Sequence, residues 1–267
     1  MRPVPRCFKK IRRLERLATS ILSRYARWTR PRFMVERRDG LLFLIDQGNA
    51  IDKRLLVNGA WEREQIELLK SFAAAAAAGR TQTLFLDIGS HGALYAMAMQ
   101  ATGLFGRVVA FEADPLNAVQ LRANLLINGM LETIEVVEKA VSSRAGTTSF
   151  HMAADYYRGG SRIDPAGNST AVTRTISVDT IALDDLLHVK GATIVAKIDV
   201  EGHEHAVISG MPALLADNQW VIQVESFPEK AARTKEMLCG YGLLHVANID
   251  FDHYFTSPDV SPVRAAK

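Results

Sequence analysis

One segment, residues 83–115, constrains the fold of this chain more than any other part of it. Its apolar residues 84–88 predict a short buried strand that leads Asp87 into a turn containing Gly89 and Gly92, and the apolar stretch after the turn predicts a helix. Glycine lets the backbone approach a ligand closely, and the start of a helix offers unpaired N–H groups. The pattern is typical of a nucleoside-binding α/β unit, although an ordinary turn between a strand and a helix also produces it.

A second predicted strand, residues 107–112, ends in Glu112, which lies 25 positions after Asp87. In a doubly wound α/β fold, an acid at this place binds the ribose hydroxyls of a nucleotide cofactor. Asp87 beside the turn would repel a pyrophosphate, whereas S-adenosylmethionine carries an ammonium and a sulfonium group that acidic strand ends attract. The two acids therefore favour a cationic nucleoside cofactor over a dinucleotide, with Glu112 as the ribose ligand.

The composition limits the chain to one main domain. With 267 residues, of which 48% are hydrophobic and 23% charged, it can bury one α/β core and an appendage. Cys7 and Cys239 lie far apart and have no metal-binding spacing, so neither a disulfide framework nor a zinc site is expected. No apolar run approaches the roughly 18 residues that span a bilayer, and the basic start lacks the features of a signal peptide. We therefore expect a cytoplasmic protein.

The first 38 residues, the basic leader, carry most of the positive charge. They hold 13 Lys and Arg residues against two acids, so the leader has a net charge of +11 and the remainder, from a total of +3, has −8. Apolar residues at helical spacing from Phe8 to Trp28 predict a basic amphipathic helix. We expect residues 1–32 to bind an anionic surface at the inner face of the membrane. Packing of this helix on the core is an equal alternative, with nucleic-acid binding and an organellar transit segment as lesser ones.

Four segments are predicted: a basic extension at 1–38, a strand and a helix packing on the core at 39–80, the α/β domain at 81–257 and a flexible tail at 258–267. From residue 84 onward, strands alternate with helices, as in a parallel sheet covered on both faces. The predicted strands are 41–45, 84–88, 107–112, 133–137, 193–199, 219–225 and 242–247. The predicted helices are 61–78, 93–102, 116–127, 179–188, 203–215 and 229–239.

Two β-like stretches, 147–152 and 171–178, interrupt this alternation and predict a β-hairpin insertion. The polar loop between them is either a solvated connection or part of a substrate mouth. It contains Tyr156 and Tyr157, and neither tyrosine has the lysine four positions later that would form a hydride-transfer pair. The insertion therefore gives no support to a nicotinamide-dependent oxidoreductase.

The second chemical motif, residues 195–204, is a predicted strand that leads into an acidic turn and a helix. Ligands of an open α/β sheet bind beyond the carboxyl ends of its strands. Five acids are therefore expected to border one crevice: Asp87, Glu112, Asp199, Glu201 and Glu225. Neighbouring carboxylates raise one another's pKa, which suits a general base acting on a hydroxyl. His91 and His203 are alternative proton acceptors, and Lys197 is a candidate partner for some of the acids.

These motifs resemble those of the FkbM family of S-adenosylmethionine-dependent methyltransferases. The similarity is most specific in residues 197–204 and extends over about 40–250, including 59–62 and 177–185, but it excludes the basic leader. The resemblance implies a Rossmann-like class I methyltransferase fold with a mostly parallel, doubly wound sheet. It also implies methyl transfer from S-adenosylmethionine to an oxygen, commonly a sugar hydroxyl of a glycan or glycolipid, or a hydroxyl of a secondary metabolite.

The resemblance further implies a role for individual residues. The implied cofactor-binding residues are Asp87, Gly89, Ser90, His91, Glu112, Ala113, Ala140 and Asp199. Asp199, Glu201 and His203 would face the transferred methyl group and include the catalytic base. No residue is assigned to a metal, although Asp199 and Glu225 could hold a divalent cation as in catechol-type O-methyltransferases.

Two positions in the cofactor loop depart from the family pattern Asp-x-Gly-x-Asn-x-Gly. His91 stands in place of the asparagine, and Ala93 in place of the last glycine, with Gly92 one position early. Such changes could weaken cofactor binding. The alternative function is therefore a catalytically impaired, membrane-associated scaffold built on a methyltransferase fold.

Overall fold

The computed structural model of the chain describes residues 31–58, 61–163 and 172–260. The basic helix predicted in the leader and residues 261–267 of the predicted tail lie outside these ranges. The chain divides into two compact units, one made of the residues up to Trp61 with Asp155–Tyr157, and the other of Glu62–Ala154 with Arg158–Lys267. Val260, which the sequence analysis assigned to the flexible tail, is buried.

The first unit contains a β-hairpin and a helix. Strands β1 (Phe33–Arg38) and β2 (Leu41–Asp46) pair antiparallel, and helix α1 (Ala50–Asn58) follows. The hairpin turn is Asp39 and Gly40, whose φ angles of +46° and +86° are those of a tight turn with a left-handed backbone. Strand β2 was predicted, whereas β1 lies in the segment assigned to the basic extension. The Asp-Gly pair is the signal that would have revealed it.

The remaining elements include the predicted strands and helices in their order, with β6, a 3₁₀ helix and β12 in addition. In the first half they are α2 (Arg63–Ala77), β3 (Thr83–Ile88), α3 (Leu94–Gln100), β4 (Arg107–Phe111), α4 (Pro115–Ile127), β5 (Ile134–Val137), β6 (Ala140–Val141), β7 (Gly146–Ala153) and a 3₁₀ helix (Asp155–Gly160). In the second half they are β8 (Val172–Ile181), α5 (Leu183–Leu186), β9 (Thr193–Ile198), α6 (Glu204–Ser209), α7 (Pro212–Asp217), β10 (Gln219–Glu225), α8 (Pro228–Gly240), β11 (Leu244–Ile249) and β12 (Asp252–Thr256).

A seven-stranded sheet with the order β11-β12-β10-β9-β3-β4-β5 forms the centre of the second unit. Strands β3, β4, β5, β9 and β10 are parallel, and β12 runs antiparallel to both of its neighbours. The predicted mostly parallel sheet is confirmed. The sequence analysis missed β12, which pairs with β10 and separates it from β11.

Successive residues of a strand point to opposite faces of the sheet. In the central strands both sets of residues are buried, so both faces of this sheet are covered. On one face, Leu84, Leu86 and Ile88 join an apolar cluster with residues of α5, α6, α7 and α8. On the other face, α2 packs against β9 and β10, and α3 packs against β3 and β4. The strands therefore read as nearly continuous apolar runs, and a polar residue within them stands out.

A smaller sheet, with the order β6-β8-β7, contains the predicted hairpin insertion. Strands β7 and β8 pair antiparallel, and β8 continues to Ile181. The helix predicted at 179–188 is therefore wrong at its start, and only the single turn α5 is helical. The helix predicted at 203–215 is interrupted at Gly210, where a Cβ would lie 2.1 Å from the carbonyl oxygen of Ser142. Pro212 then begins α7 at the position where a missing N–H is harmless.

Candidate active site

The carboxyl ends of the parallel strands bring the predicted acids together. Asp87 lies at the end of β3, Glu112 follows β4, Asp199 follows β9, and Glu225 ends β10. The charge of Asp199 acts on Asp87, on Glu225 and on Glu201, and the charge of Asp87 acts on Glu112. The predicted clustering of the five carboxylates is thus observed.

Asp87 organises the turn between β3 and α3. Its Oδ2 accepts hydrogen bonds from Ser90 Oγ at 2.7 Å and from the backbone N of Ala96 at 2.9 Å. Burial raises the pKa of Asp87 to about 6, although these two donors oppose the rise. The side chain of Ser90 is therefore engaged in fixing Asp87. Ser90 can still contribute to a ligand site through the shape of the turn.

Gly89 allows this turn to lie directly against the end of β9. Its φ is +84°, and a Cβ at this position would lie 1.7 Å from the carbonyl oxygen of Asp199. No side chain can occupy that space. Gly89 therefore joins the two predicted motifs, the glycine turn and the acidic turn after β9, which are far apart in sequence.

Glu112 is held by two backbone donors and has capacity for two more. Its Oε2 accepts from His91 N at 2.7 Å, and its Oε1 accepts from Asp114 N at 2.7 Å. A carboxylate offers about four acceptor positions, so about two remain for a diol. Burial raises the pKa of Glu112 to about 8, against the lowering by its backbone donors. The remaining acceptor positions fit the hydroxyl groups of the ribose of a nucleoside cofactor.

Ala113, which follows Glu112 in the chain, and Ala140 share an apolar environment. Ala140 forms a buried cluster with Phe150, Met152 and Val178, and Ala113 packs against that cluster. Small apolar side chains next to a ribose ligand leave a surface against which a flat base can pack. The two alanines implied by the resemblance are therefore brought together, and their surroundings fit an adenine.

The two unusual positions of the loop, His91 and Ala93, both have a left-handed backbone with φ of +47° and +66°. Burial and the nearby charge of Arg158 lower the pKa of His91 to about 4. His91 is therefore neutral near pH 7 and a weak base. Its contribution to the site is its backbone N–H, which it donates to Glu112.

The three predicted catalytic residues lie on one turn between β9 and α6. Burial, with the charges of Asp199 and Glu204, raises the pKa of Glu201 to about 8, and the charge of Arg162 opposes the rise. His203 occupies the N-terminal cap position of α6, and its Nε2 lies 3.0 Å from Ser142 Oγ. The turn thus presents a carboxyl group whose pKa suits proton abstraction near neutral pH.

Sequence reasoning missed a buried polar network below this turn. Lys197, inside the apolar strand β9, has its Nζ 2.7 Å from Asp252 Oδ1 and 3.8 Å from Asp199 Oδ2. Gln223, inside β10, donates to Asp252 and to Tyr95 Oη. Lys197 was considered only as a possible partner of the acids. The sequence signal for this network was a lysine and a glutamine within strands that are otherwise apolar.

Within the ranges that the structure covers, no three His, Cys, Asp or Glu side chains are placed to bind a metal ion. The position near Asp199 where a divalent cation was an alternative has the ammonium of Lys197 3.8 Å from the carboxylate. None of the described helices is long and apolar enough to cross a membrane.

The mostly parallel sheet, the glycine turn after β3 and the acid after β4 define a Rossmann-like α/β fold with a site for a nucleoside cofactor. The chain belongs to the FkbM methyltransferase family, since the family model named methyltransferase FkbM domain matches residues 87–246. The cofactor is S-adenosylmethionine, as the resemblance in the sequence implied. No curated protein sequence matches the chain significantly.

Several solved structures are similar to this chain at low identity. A human methyltransferase 10 domain containing protein is 12% identical with a TM-score of 0.48, over 82% of this chain and 88% of that one. A SAM-dependent methyltransferase from Agrobacterium tumefaciens is 9% identical with a TM-score of 0.47, over 85% and 70% of the two chains. TYW2 of M. jannaschii in complex with AdoMet is 11% identical with a TM-score of 0.42, over 85% and 88%.

Proposed function

We propose that the protein transfers the methyl group of S-adenosylmethionine to a hydroxyl oxygen, in a sugar of a glycan or glycolipid or in a secondary metabolite. The observation that carries this proposal is Glu201, a carboxyl group with a pKa of about 8 on the same turn as Asp199. A hydroxyl is a weak nucleophile and needs a base in the transition state, and a base is most effective when its pKa is near the working pH.

The residues of the site divide the work of such a reaction. When bound, S-adenosylmethionine supplies an electrophilic methyl group on a sulfonium. Glu112 holds the ribose, while Ala113 and Ala140 provide the surface for the adenine. Asp199 provides negative charge next to the sulfonium. Glu201 would accept the proton of the acceptor hydroxyl as the hydroxyl oxygen takes the methyl group, the bond between methyl carbon and sulfur breaks and S-adenosylhomocysteine is released.

His203 lies two positions after Glu201 on the same turn, and we assign it an assisting role in this scheme. Its ring contacts Ser142 Oγ, which fixes the orientation of the imidazole at the start of α6. Because this contact holds one ring nitrogen, it also fixes the direction of the other, as expected for a group that shuttles a proton. His203 is therefore proposed as the group that passes the proton from Glu201 to solvent.

The proposal is tested by transfer of a tritiated methyl group to a panel of glycans, glycolipids and hydroxylated metabolites, with RNA as a contrasting acceptor. Glu201→Gln should lower kcat by about a hundredfold, the contribution typical of a general base. The Kd for S-adenosylmethionine should change by less than threefold. Glu236→Gln, at an exposed position of α8, is the matched control and should leave both constants unchanged.

Two results would contradict the proposal. Full turnover by the Glu201→Gln variant would exclude this carboxyl group as the base. Transfer to RNA alone would exclude the proposed acceptors. Absence of S-adenosylmethionine binding would instead support the impaired scaffold.

The basic leader supports a further part of the proposal, namely that the enzyme works at an anionic membrane surface at the cytoplasmic side. The leader carries a net charge of +11, and each cation near such a surface contributes about 1 kcal/mol. Flotation with vesicles containing phosphatidylserine should recover the full chain but not a chain lacking residues 1–32. Equal recovery of the two chains would refute it.

A further inference from the structure

A row of polar side chains crosses the buried centre of the large sheet. The strand register places Lys197 of β9 between Asp87 of β3 and Gln223 of β10, and Gln223 next to Tyr254 of β12. All four residues are buried. Parallel sheets covered on both faces normally have apolar residues here, so a row of four polar residues requires a reason.

Lys197 is the charged centre of this row. Its side chain is only 2% exposed, and its Nζ lies 2.7 Å from Asp252 Oδ1, 3.8 Å from Asp199 Oδ2 and 5.3 Å from the centre of the Tyr95 ring. Burial alone would lower the pKa of Lys197, but the negative charges around it, first that of Asp199 and also that of Asp252, raise it above its usual value. Lys197 is therefore a buried cation.

A second layer fixes the groups around this cation. Gln223 Nε2 donates to Asp252 Oδ1 at 2.8 Å and to Tyr95 Oη at 2.9 Å, and Tyr95 Oη donates to Glu62 Oε2 at 2.8 Å. Each of these side chains comes from a different element. Their hydrogen bonds restrict Asp252, and through it Lys197, to one geometry.

Asp199 is the point at which this network reaches the site. Its side chain is 28% exposed, whereas Lys197 and Asp252 below it are buried. The charge of Asp199, together with burial, raises the pKa of Glu225 to about 10. Asp199 thus lies within reach of the buried ammonium of Lys197, while its own carboxylate remains partly exposed.

A purely structural role does not account for this arrangement. One ion pair, Lys197 with Asp252, would already neutralise the buried charge, and an apolar pair of similar volume would stabilise the sheet at least as well. The second carboxylate within reach of the ammonium is the one at the strand end, beside the cofactor loop through Gly89. Asp199 is therefore the residue of the site that this network affects.

We propose that Lys197 is a positioning residue, which acts through Asp199 to hold that carboxylate toward the sulfonium of the cofactor. Asp252, Gln223 and Tyr95 keep Lys197 in place. This inference rests on the proposed function only in assigning Asp199 to the sulfonium. It concerns recognition of the methylated cofactor and does not depend on the identity of the acceptor.

The test compares the affinities for S-adenosylmethionine and S-adenosylhomocysteine, which differ in the charge on sulfur. Asp199→Asn should weaken S-adenosylmethionine about tenfold relative to S-adenosylhomocysteine, a change of about 1.4 kcal/mol. Lys197→Met should reduce the ratio of the affinity for S-adenosylmethionine to the affinity for S-adenosylhomocysteine by the same factor. The combined Lys197→Met and Asp199→Asn variant should show no further loss, because both substitutions remove the same interaction.

Two further variants keep the test interpretable. If Lys197→Met does not fold because Asp252 is left unpaired, Lys197→Met with Asp252→Asn removes both charges, and the same reduced ratio is expected. Lys190→Met is the matched control, since Lys190 is 82% exposed and pairs only with Asp217 among the described contacts.

The outcomes separate the inference from the proposed function. Equal weakening of both ligands, or no change in the ratio, would show that Lys197 is merely structural. Additive losses in the double variant would show that it acts independently of Asp199. If the unsubstituted protein bound neither ligand, the proposed function itself would be refuted.

Discussion

Glu112 offers the sharpest test of the cofactor site, through the substitution Glu112→Gln. Glutamine keeps the size of the side chain but loses the charge and half of the acceptor capacity. Hydrogen bonds to a charged group contribute about 1.5–3 kcal/mol each, so loss of the ribose contacts should weaken the affinity at least tenfold, about 1.4 kcal/mol. Glu138→Gln, at an exposed carboxylate paired with Arg122, should change nothing.

The raised pKa of Glu112, about 8, adds a pH dependence that a simple contact would lack. At pH 7 roughly one-tenth of the molecules carry an ionised Glu112, and at pH 9 roughly nine-tenths do. Because a ribose diol donates its hydrogen bonds to the ionised form, the affinity should increase about tenfold between pH 7 and pH 9. Binding at pH 7 should release close to one proton.

Calorimetric titration with S-adenosylhomocysteine, which has the same ribose and is stable at pH 9, measures both quantities. Repeating it in buffers of different ionisation enthalpy gives the number of protons released. An affinity independent of pH, or a Glu112→Gln variant with unchanged pH dependence, would refute the assignment of Glu112.

The same raised pKa affects the stability of the unliganded protein. Since folding raises the pKa of Glu112, this carboxyl group contributes its full share to the free energy of unfolding below about pH 4, and the contribution is lost as the pH rises through 8. Thermal unfolding of the unliganded protein should accordingly become easier from pH 6 to pH 9, and less so in the variant.

Two further predictions concern stability and are measured by urea denaturation. Gly89→Ala should cost more than about 3 kcal/mol, because its Cβ would lie 1.7 Å from the Asp199 carbonyl oxygen. Gly103→Ala, with the same left-handed backbone but open space around it, should cost only about 1 kcal/mol, and equal losses would contradict the steric argument. Tyr95→Phe should cost about 1–3 kcal/mol, because Glu62 loses its buried donor. No loss would show that this hydrogen bond is not part of the stable structure.

The sequence predicted the parallel strands of the large sheet because each was recorded in a local pattern. Short apolar runs predicted β3, β4, β9 and β10, and their order along the chain predicted parallel pairing. Prediction failed where the local pattern was ambiguous. The residues 179–181 continue β8 because they pair with β6 and β7, and this pairing, which is not local, prevents the helix that the sequence indicated.

The sequence by itself also determined the chemical groups of the candidate site. A carboxylate after each of several strands must lie at one edge of a parallel sheet, so Asp87, Glu112 and Asp199 could be grouped before the structure was known. Gly89 required little more than its own residue type, because glycine readily adopts a left-handed backbone, whereas the left-handed conformations of His91 and Ala93 are not favoured by their residue types.

Only the tertiary structure decided the partners of these groups. Lys197 meets Asp252 across 55 positions of sequence, and Gln223 meets Tyr95 across 128. A strand fixes the face on which a side chain lies, but the neighbour of that side chain depends on strand order and register. Both are set by the packing of the whole sheet, since a shift of one residue would move every apolar side chain to the wrong face. The buried network around Lys197 is therefore a property of the assembled fold.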